Sequence, residues 1–135
     1  MPERDLEALL RTLTIERRPG AFCFVDFDDV PSGVVVEATV VESEGTTAVV
    51  DRDSLSSRTE TPQFVAAWLT VAVHSSLDAV GLTAALAGAL AQAGIPCNVL
   101  AGLHHDHLLV PETKAQMAIG VLYGLRNGHG GSGGM

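Results

Sequence analysis

Ser75 and Asp78 stand three residues apart, where an alternating apolar run gives way to helical spacing. That arrangement is a capping box: the hydroxyl accepts an early helical N–H, and the carboxylate reaches back toward the cap. The N–H groups of a first helical turn also attract an anion such as an α-carboxylate, and Gly81 admits a close approach where a Cβ would collide. Asp78 repels an anion beside it but holds an ammonium, so an amino acid at this place is oriented with its amine toward Asp78. The same residues serve equally as plain caps, with Gly81 permitting helix-on-strand packing, and the sequence leaves both readings open. Asn98, a polar residue early in an apolar strand, hydrogen-bonds a ligand or caps an edge.

His104-His105-Asp106-His107 suggests a metal centre, since imidazole and carboxylate suit zinc or nickel. In a strand, however, His105 and His107 share a face while Asp106 points away, and a third ligand such as His74 is needed to close a site. Hairpin hydrogen bonding or interface packing accounts for the cluster more simply, contact with a ligand is the next reading, and no metal is expected. Gly128-x-Gly130-x-x-Gly133 matches a dinucleotide fingerprint in form, yet neither a strand precedes it nor a helix follows. No phosphate-cradling GxxxxGK[ST] and no GxSxG elbow occurs, and His74, Ser75 and Asp78 lie too close in sequence to be taken as a triad. No catalytic residue and no cofactor is therefore expected. Cys23 and Cys97, 74 positions apart, read as core thiols. Trp68, Phe64, Tyr123 and Met117 read as core or interface packing.

The elements that position these residues belong to a small, well-packed protein. At 135 residues, with 47% hydrophobic and 18% charged residues, the chain folds around a core of Val, Leu and Ala, since aromatic residues are only 4%. Its formal charge of −8 repels phosphate backbones and anionic headgroups, which disfavours nucleic-acid and membrane partners. Residues 1–68 carry thirteen acids and six bases, residues 69–135 only three acids and two bases, and all five histidines fall in the second half. The second half is the more buried or more contacted one. The opening Met1-Pro2-Glu3-Arg4-Asp5 lacks the basic and apolar regions of a signal peptide, and a cytoplasmic location is expected.

Leu6, Leu9, Leu10 and Leu13 mark one face of a short helix over 5–13. Strands are expected at 21–27, 34–41 and 46–50, the last two forming a hairpin through Glu42-Ser43-Glu44-Gly45, with a helical turn after Asp51. Phe64 to Val73 is a strand covered on both faces. A helix of about four turns starts near Ser75 and ends at Gly94, followed by strands over 96–103 and 108–110 and a last helix opened by Pro111. Strand, helix, strand, strand, helix is five sixths of a ferredoxin-like βαββαβ unit. The Gly-rich end, 126–135, cannot hold the sixth, so the exposed edge must be completed by the first half or by a second chain.

The stretch Leu69 to Thr83, followed by Leu90 to Val99 and the hairpin His105 to Pro111, resembles the ACT domain, a family named for aspartate kinase, chorismate mutase and prephenate dehydrogenase. It resembles more closely the small stand-alone bacterial ACT proteins with an added N-terminal lobe, related to the ACT domains of the cytosolic arginine sensor. The usual Pro before the loop glycine is Val80 here, and the usual closing strand is missing. The resemblance implies an α+β fold of two ACT-like lobes, with antiparallel sheets and helices on one face, over 1–61 and 62–125, with 126–135 a flexible tail. It implies a non-catalytic regulatory protein that binds a small molecule, an amino acid, at a lobe or subunit interface. The loop from first strand to first helix holds the ligand, so the candidate contacts are His74, Ser75, Ser76, Leu77, Asp78, Val80, Gly81, Leu82 and Asn98. A homodimer or a protein partner is expected. The alternative is an interaction module that dimerises through its sheet, with a vestigial ligand loop.

Overall fold

The computed structural model describes residues 5–55, 64–73 and 81–127. Among these residues seven strands and three α-helices follow in the order α1 (Leu6–Arg11), β1 (Ile15–Arg17), β2 (Phe22–Asp26), β3 (Val36–Glu42), β4 (Gly45–Asp51), β5 (Val65–Val71), α2 (Leu82–Gln92), β6 (Asn98–Ala101), β7 (Asp106–Pro111) and α3 (Ala115–Gly124). The strands make one antiparallel sheet in the order β3-β4-β2-β5-β7-β6, with β1 also on β5.

Local chemistry sets the element ends. The Asp5 carboxylate accepts the Glu7 N–H at 3.1 Å and caps α1. Gly45, at φ +146°, closes the β3–β4 hairpin with Glu42 as its opposite number. Gly94, at φ +76°, ends α2 in a Schellman motif: its N–H donates to the Ala91 carbonyl and the N–H of Ile95 to that of Leu90, with Ile95 buried. Helix α2 spans Leu82–Gln92, three turns rather than four, because it begins at Leu82 and not near Ser75. Pro111 is the last residue of β7 and precedes a 3₁₀ turn over Glu112–Lys114, so it caps that turn instead of opening α3. Met117 is exposed on α3, so of its two expected places, core or interface, it does not take the core.

The missing sixth strand is supplied from the chain's own beginning. One edge of β5 pairs with β7 from Ala66 to Val71, while the other is shared: Ile15, Glu16 and Arg17 stand opposite Val71, Thr70 and Leu69, and Phe22 and Cys23 opposite Ala66 and Val65. Between them Pro19 has no N–H to give and Gly20 turns at φ +91°, so β1 and β2 behave as one strand broken in the middle. The first half thus joins the second in a continuous sheet.

All three helices cover one face. Leu9, Leu10 and Leu13, Leu82, Leu86 and Leu90, and Ala118 and Leu122 pack on Leu69, Val71, Leu108 and Val110. Burying a leucine side chain contributes about 1.5–3 kcal/mol, so this three-helix layer dominates the stability. Tyr123 clamps β1 to α3, its hydroxyl accepting from Ile15 N at 3.0 Å and lying 3.3 Å from Ile15 O. The opposite face holds a second cluster of Phe22, Val49, Ala66, Trp68 and Leu109.

Because α1 and β1 complete the second half's core and sheet, a fragment of residues 62–135 is expected to show no cooperative thermal transition by circular dichroism. Co-expression with residues 1–61 restores it. A fragment that melts cooperatively alone would show that the second half does not depend on α1 and β1.

Candidate functional site

The turn from β5 into α2 is the place the sequence marks. His74, Ser75, Ser76, Leu77, Asp78 and Val80 lie outside the described residues. Gly81 is the N-cap of α2, at φ +98°, and has no side chain with which to accept the first N–H groups of the helix. The N-cap of α2 is thus a glycine, and the capping box of Ser75 and Asp78 lies outside the described residues. A Cβ built on Gly81 would stand 3.3 Å from Leu6 Cδ2, so what faces this glycine is α1 of the first half. The close approach needed here is helix on helix, not helix on strand. Leu82 is buried in the three-helix core with Leu86 and Leu90.

Asn98 stands elsewhere. It pairs with Leu109, which pairs with Trp68, whereas the end of β5 at Val71 is level with Asp106 and Ala101. Three rungs separate the two places, about 10 Å along the strand, and β7 lies between. Cross-strand partners share a face, and Leu109 and Trp68 are on the helix-free side. Gly81 and Leu82 are thus brought together with α1, and Asn98 is exposed on the other side of the sheet.

That side holds a polar arrangement which the sequence does not reveal. The Trp68 indole N–H donates to His107 Nδ1 at 3.1 Å, and Thr70 Oγ1 lies 3.1 Å from the same nitrogen. An indole nitrogen only donates, so Nδ1 carries no hydrogen, and the neutral ring has its proton on Nε2. Arg18 lies over the Trp68 ring at 4.6 Å, bonds Glu37 at 2.7 Å and donates its backbone N–H to the Trp68 carbonyl at 2.9 Å. Burial holds the His107 imidazolium below its usual range; the nearby His105 and Arg18 add to this, and Asp106 opposes it. His105 lies in the β6–β7 turn, its carbonyl accepting from Gly102 N at 2.9 Å, with its ring 6.4 Å from that of His107. The histidines therefore serve the hairpin and its packing. No group of three potential metal ligands occurs among the described residues.

Cys23 is buried, Cys97 half-buried and both are free; burial pushes both thiols up, away from the thiolate form. A groove of about 290 Å³ opens at the tip of the β3–β4 hairpin, lined by Phe24, Asp26, Glu42, Glu44 and Thr47 among others.

A sheet with helices on one face, and a β5–α2–β6–β7–α3 order whose open edge is filled by β1, is the architecture of a ferredoxin-like unit. Residues 63–124 match a sequence model of the ACT domain, and residues 1–67 match a second ACT-domain model. A Vibrio cholerae protein described as of unknown function, possible transport protein, is 35% identical with a TM-score of 0.78, over 91% of this chain and 96% of that one. The chain belongs to the ACT-domain family. Two further solved structures show the shared fold at low identity. An aspartate kinase from Clostridium acetobutylicum, described as an allosteric enzyme, is 10% identical with TM-score 0.61, over 83% of this chain and 34% of that one. An aspartokinase of alpha and beta subunits is 16% identical with TM-score 0.56, over 85% of this chain and 97% of that one. No curated protein matches the chain.

ACT domains are regulatory units that commonly bind amino acids, and this chain carries two of them in one sheet. In this ACT protein the first unit also supplies α1, the surface that Gly81 meets. No helix among the described residues is long and apolar enough to cross a membrane.

Two outcomes follow. Gly81→Ala places a Cβ in the left-handed region and against Leu6, and should lower stability by about 1–2 kcal/mol in urea denaturation. Protonating His107 sets two N–H donors against each other at Trp68. Its lowered folded pKa means that its contribution is complete above the unfolded value of about 6.5 and is lost as pH falls through the folded value. Stability should accordingly decline below that point, together with a change in the emission of Trp68, the chain's single tryptophan. His107→Gln, which keeps an acceptor that does not titrate, should flatten both.

Proposed function

We propose that this ACT-domain protein is a non-catalytic sensor of an amino acid, held by residues 74–82 against α1. The observation that carries this reading is the juxtaposition of Gly81 with Leu6. It sets the start of α2 in the second ACT unit against a helix of the first, the kind of inter-lobe position in which the family resemblance leads a ligand to be sought. The chemistry of the segment agrees. Glycine leaves the first N–H groups of α2 without a side-chain acceptor, and these attract a carboxylate. Asp78 offers the complementary charge for an ammonium, while Ser75, Ser76 and His74 supply further polar groups. Leu82 and Leu6 form an apolar floor that has no use for a charged ligand side chain. Asn98 has no part in this site, because the register sets it three rungs away on the other face. Binding stabilises one arrangement of α1 against α2, and the reading needs no cofactor, metal or catalytic group.

The test is a thermal-shift screen of the amino acids at millimolar concentration on the full chain. A cognate ligand at 100 times its Kd adds about 2.7 kcal/mol, equivalent to several degrees at this size. Asp78→Asn should cancel the shift while leaving the unliganded melting temperature within about a degree. A flat response to every amino acid would leave the turn as scaffolding and the protein as an interaction module.

A further inference from the structure

We infer that the outer edge of β3, from Thr39 to Glu42, is a docking strand for an extended basic segment of a partner protein. The inference stands apart from the ligand reading and concerns the opposite end of the sheet. Strand β3 terminates the sheet order, and among the described residues it pairs with β4 alone, so one row of its backbone N–H and C=O groups faces outward. A register shift between Val36 and Ala38 bulges the strand at Glu37. Bulges, lysines and prolines are how natural edges discourage added strands. Past the bulge the ladder is regular again from Ala38 to Glu42, and this stretch has neither lysine nor proline. Val40 and Val41 are instead 44% and 84% exposed, in a stretch where residues on both faces reach solvent. The shape and backbone chemistry suit strand addition, in which main-chain bonds supply affinity and side chains at alternate positions supply specificity.

Charge selects the occupant. From Pro19 to Asp51 there are seven carboxylates and no lysine or arginine. The groove at the hairpin tip is lined by Glu42 on β3, Glu44 in the turn and Asp26 on β2, so a cationic side chain of an added strand that enters it has three carboxylates within the same groove. Thr47 holds one oxygen of Glu42 at 2.6 Å and fixes that carboxylate in place. A second copy of this chain would bring the same carboxylates and no base to the junction. Self-pairing along β3 is therefore opposed by the field that favours a basic segment.

The experiment uses the full chain, labelled for NMR, and three blocked seven-residue peptides: one alternating lysine with valine, one alternating glutamate with valine, and the lysine–valine peptide with a central proline. The expected result is that the first shifts amide resonances of residues 39–42, that its affinity falls at least tenfold between low and high salt, and that the other two bind at least tenfold more weakly. Reversing the charges of the tip in Glu42→Lys with Glu44→Lys, with an unchanged circular dichroism spectrum, should weaken the first peptide by a similar factor. Val41→Lys, which leaves the tip carboxylates in place and guards the edge, should do the same. Equal binding of the three peptides, shifts confined to another surface, no binding at millimolar peptide, or a dimer in sedimentation that Val41→Lys dissociates would each overturn the proposal.

Discussion

Strand β5 can exist only if both of its edges are taken. It is apolar on both faces and lies in the middle of the sheet, where a buried backbone group left without a partner costs about 1–3 kcal/mol. The second ACT unit fills one edge with β7 and, among the described residues, supplies no closing strand of its own. The chain solves this by sending β1 and then β2 along the other edge, with the break at Pro19-Gly20 letting β2 leave toward β4. Everything else follows from that placement: α1, which precedes β1, must lie on the helical face beside α2, and Leu6 must then meet the glycine that starts α2. The family's two units consequently share one sheet, with the beginning of the first built into the second.

Much of this was legible from the residues. The β-branched runs, the hairpin glycine, the Gly94 cap and the apolar stripe of α1 are local signals, and each marks its element to within a few residues. A Gly-rich end is a poor strand, so the sequence also called for a substitute at the edge of β5, and β1 takes that place. Helix α2 was extended too far toward Ser75 because the capping-box pattern is satisfied by residue type alone, whereas a positive φ at Gly81 is a property of the folded chain. Pro111 was placed inside a helix for a similar reason: a proline's fixed φ suits a strand end and a helix start alike.

The candidate site was legible in its turn and hidden in its surroundings. Nothing near Gly81 in sequence points to Leu6, 75 positions earlier, and nothing near His107 points to Trp68 and Thr70, whose proximity depends on a register that only the folded sheet sets. The grouping of Asn98 with the turn failed on the same ground. Its distance in sequence from α2 is short, but the strand enters the sheet at the level of Trp68, and alternation then turns it to the helix-free side. Within His104 to His107, period-2 alternation alone separates Asp106 from His105 and His107, while the bond of His107 to Trp68 is a property of the fold.

Arginines tie the two ACT units together. Arg18, from the first half, stacks on Trp68 of the second while bonding Glu37. Arg52 reaches Glu112 at 3.2 Å, and Arg126 of the second half donates to the Leu13 carbonyl at 2.8 Å while lying over Tyr123. Partly exposed pairs of this kind contribute about 0–1 kcal/mol each, so they do not hold the seam against the much larger shared core. What they contribute is direction. A guanidinium has a planar fork that accepts few geometries, and three such forks spanning the seam restrict how one half can rotate on the other. Arg18 and Arg52, which flank the β2–β3–β4 end in sequence, both reach across the seam, and with no lysine or arginine between them that end of the sheet is acidic.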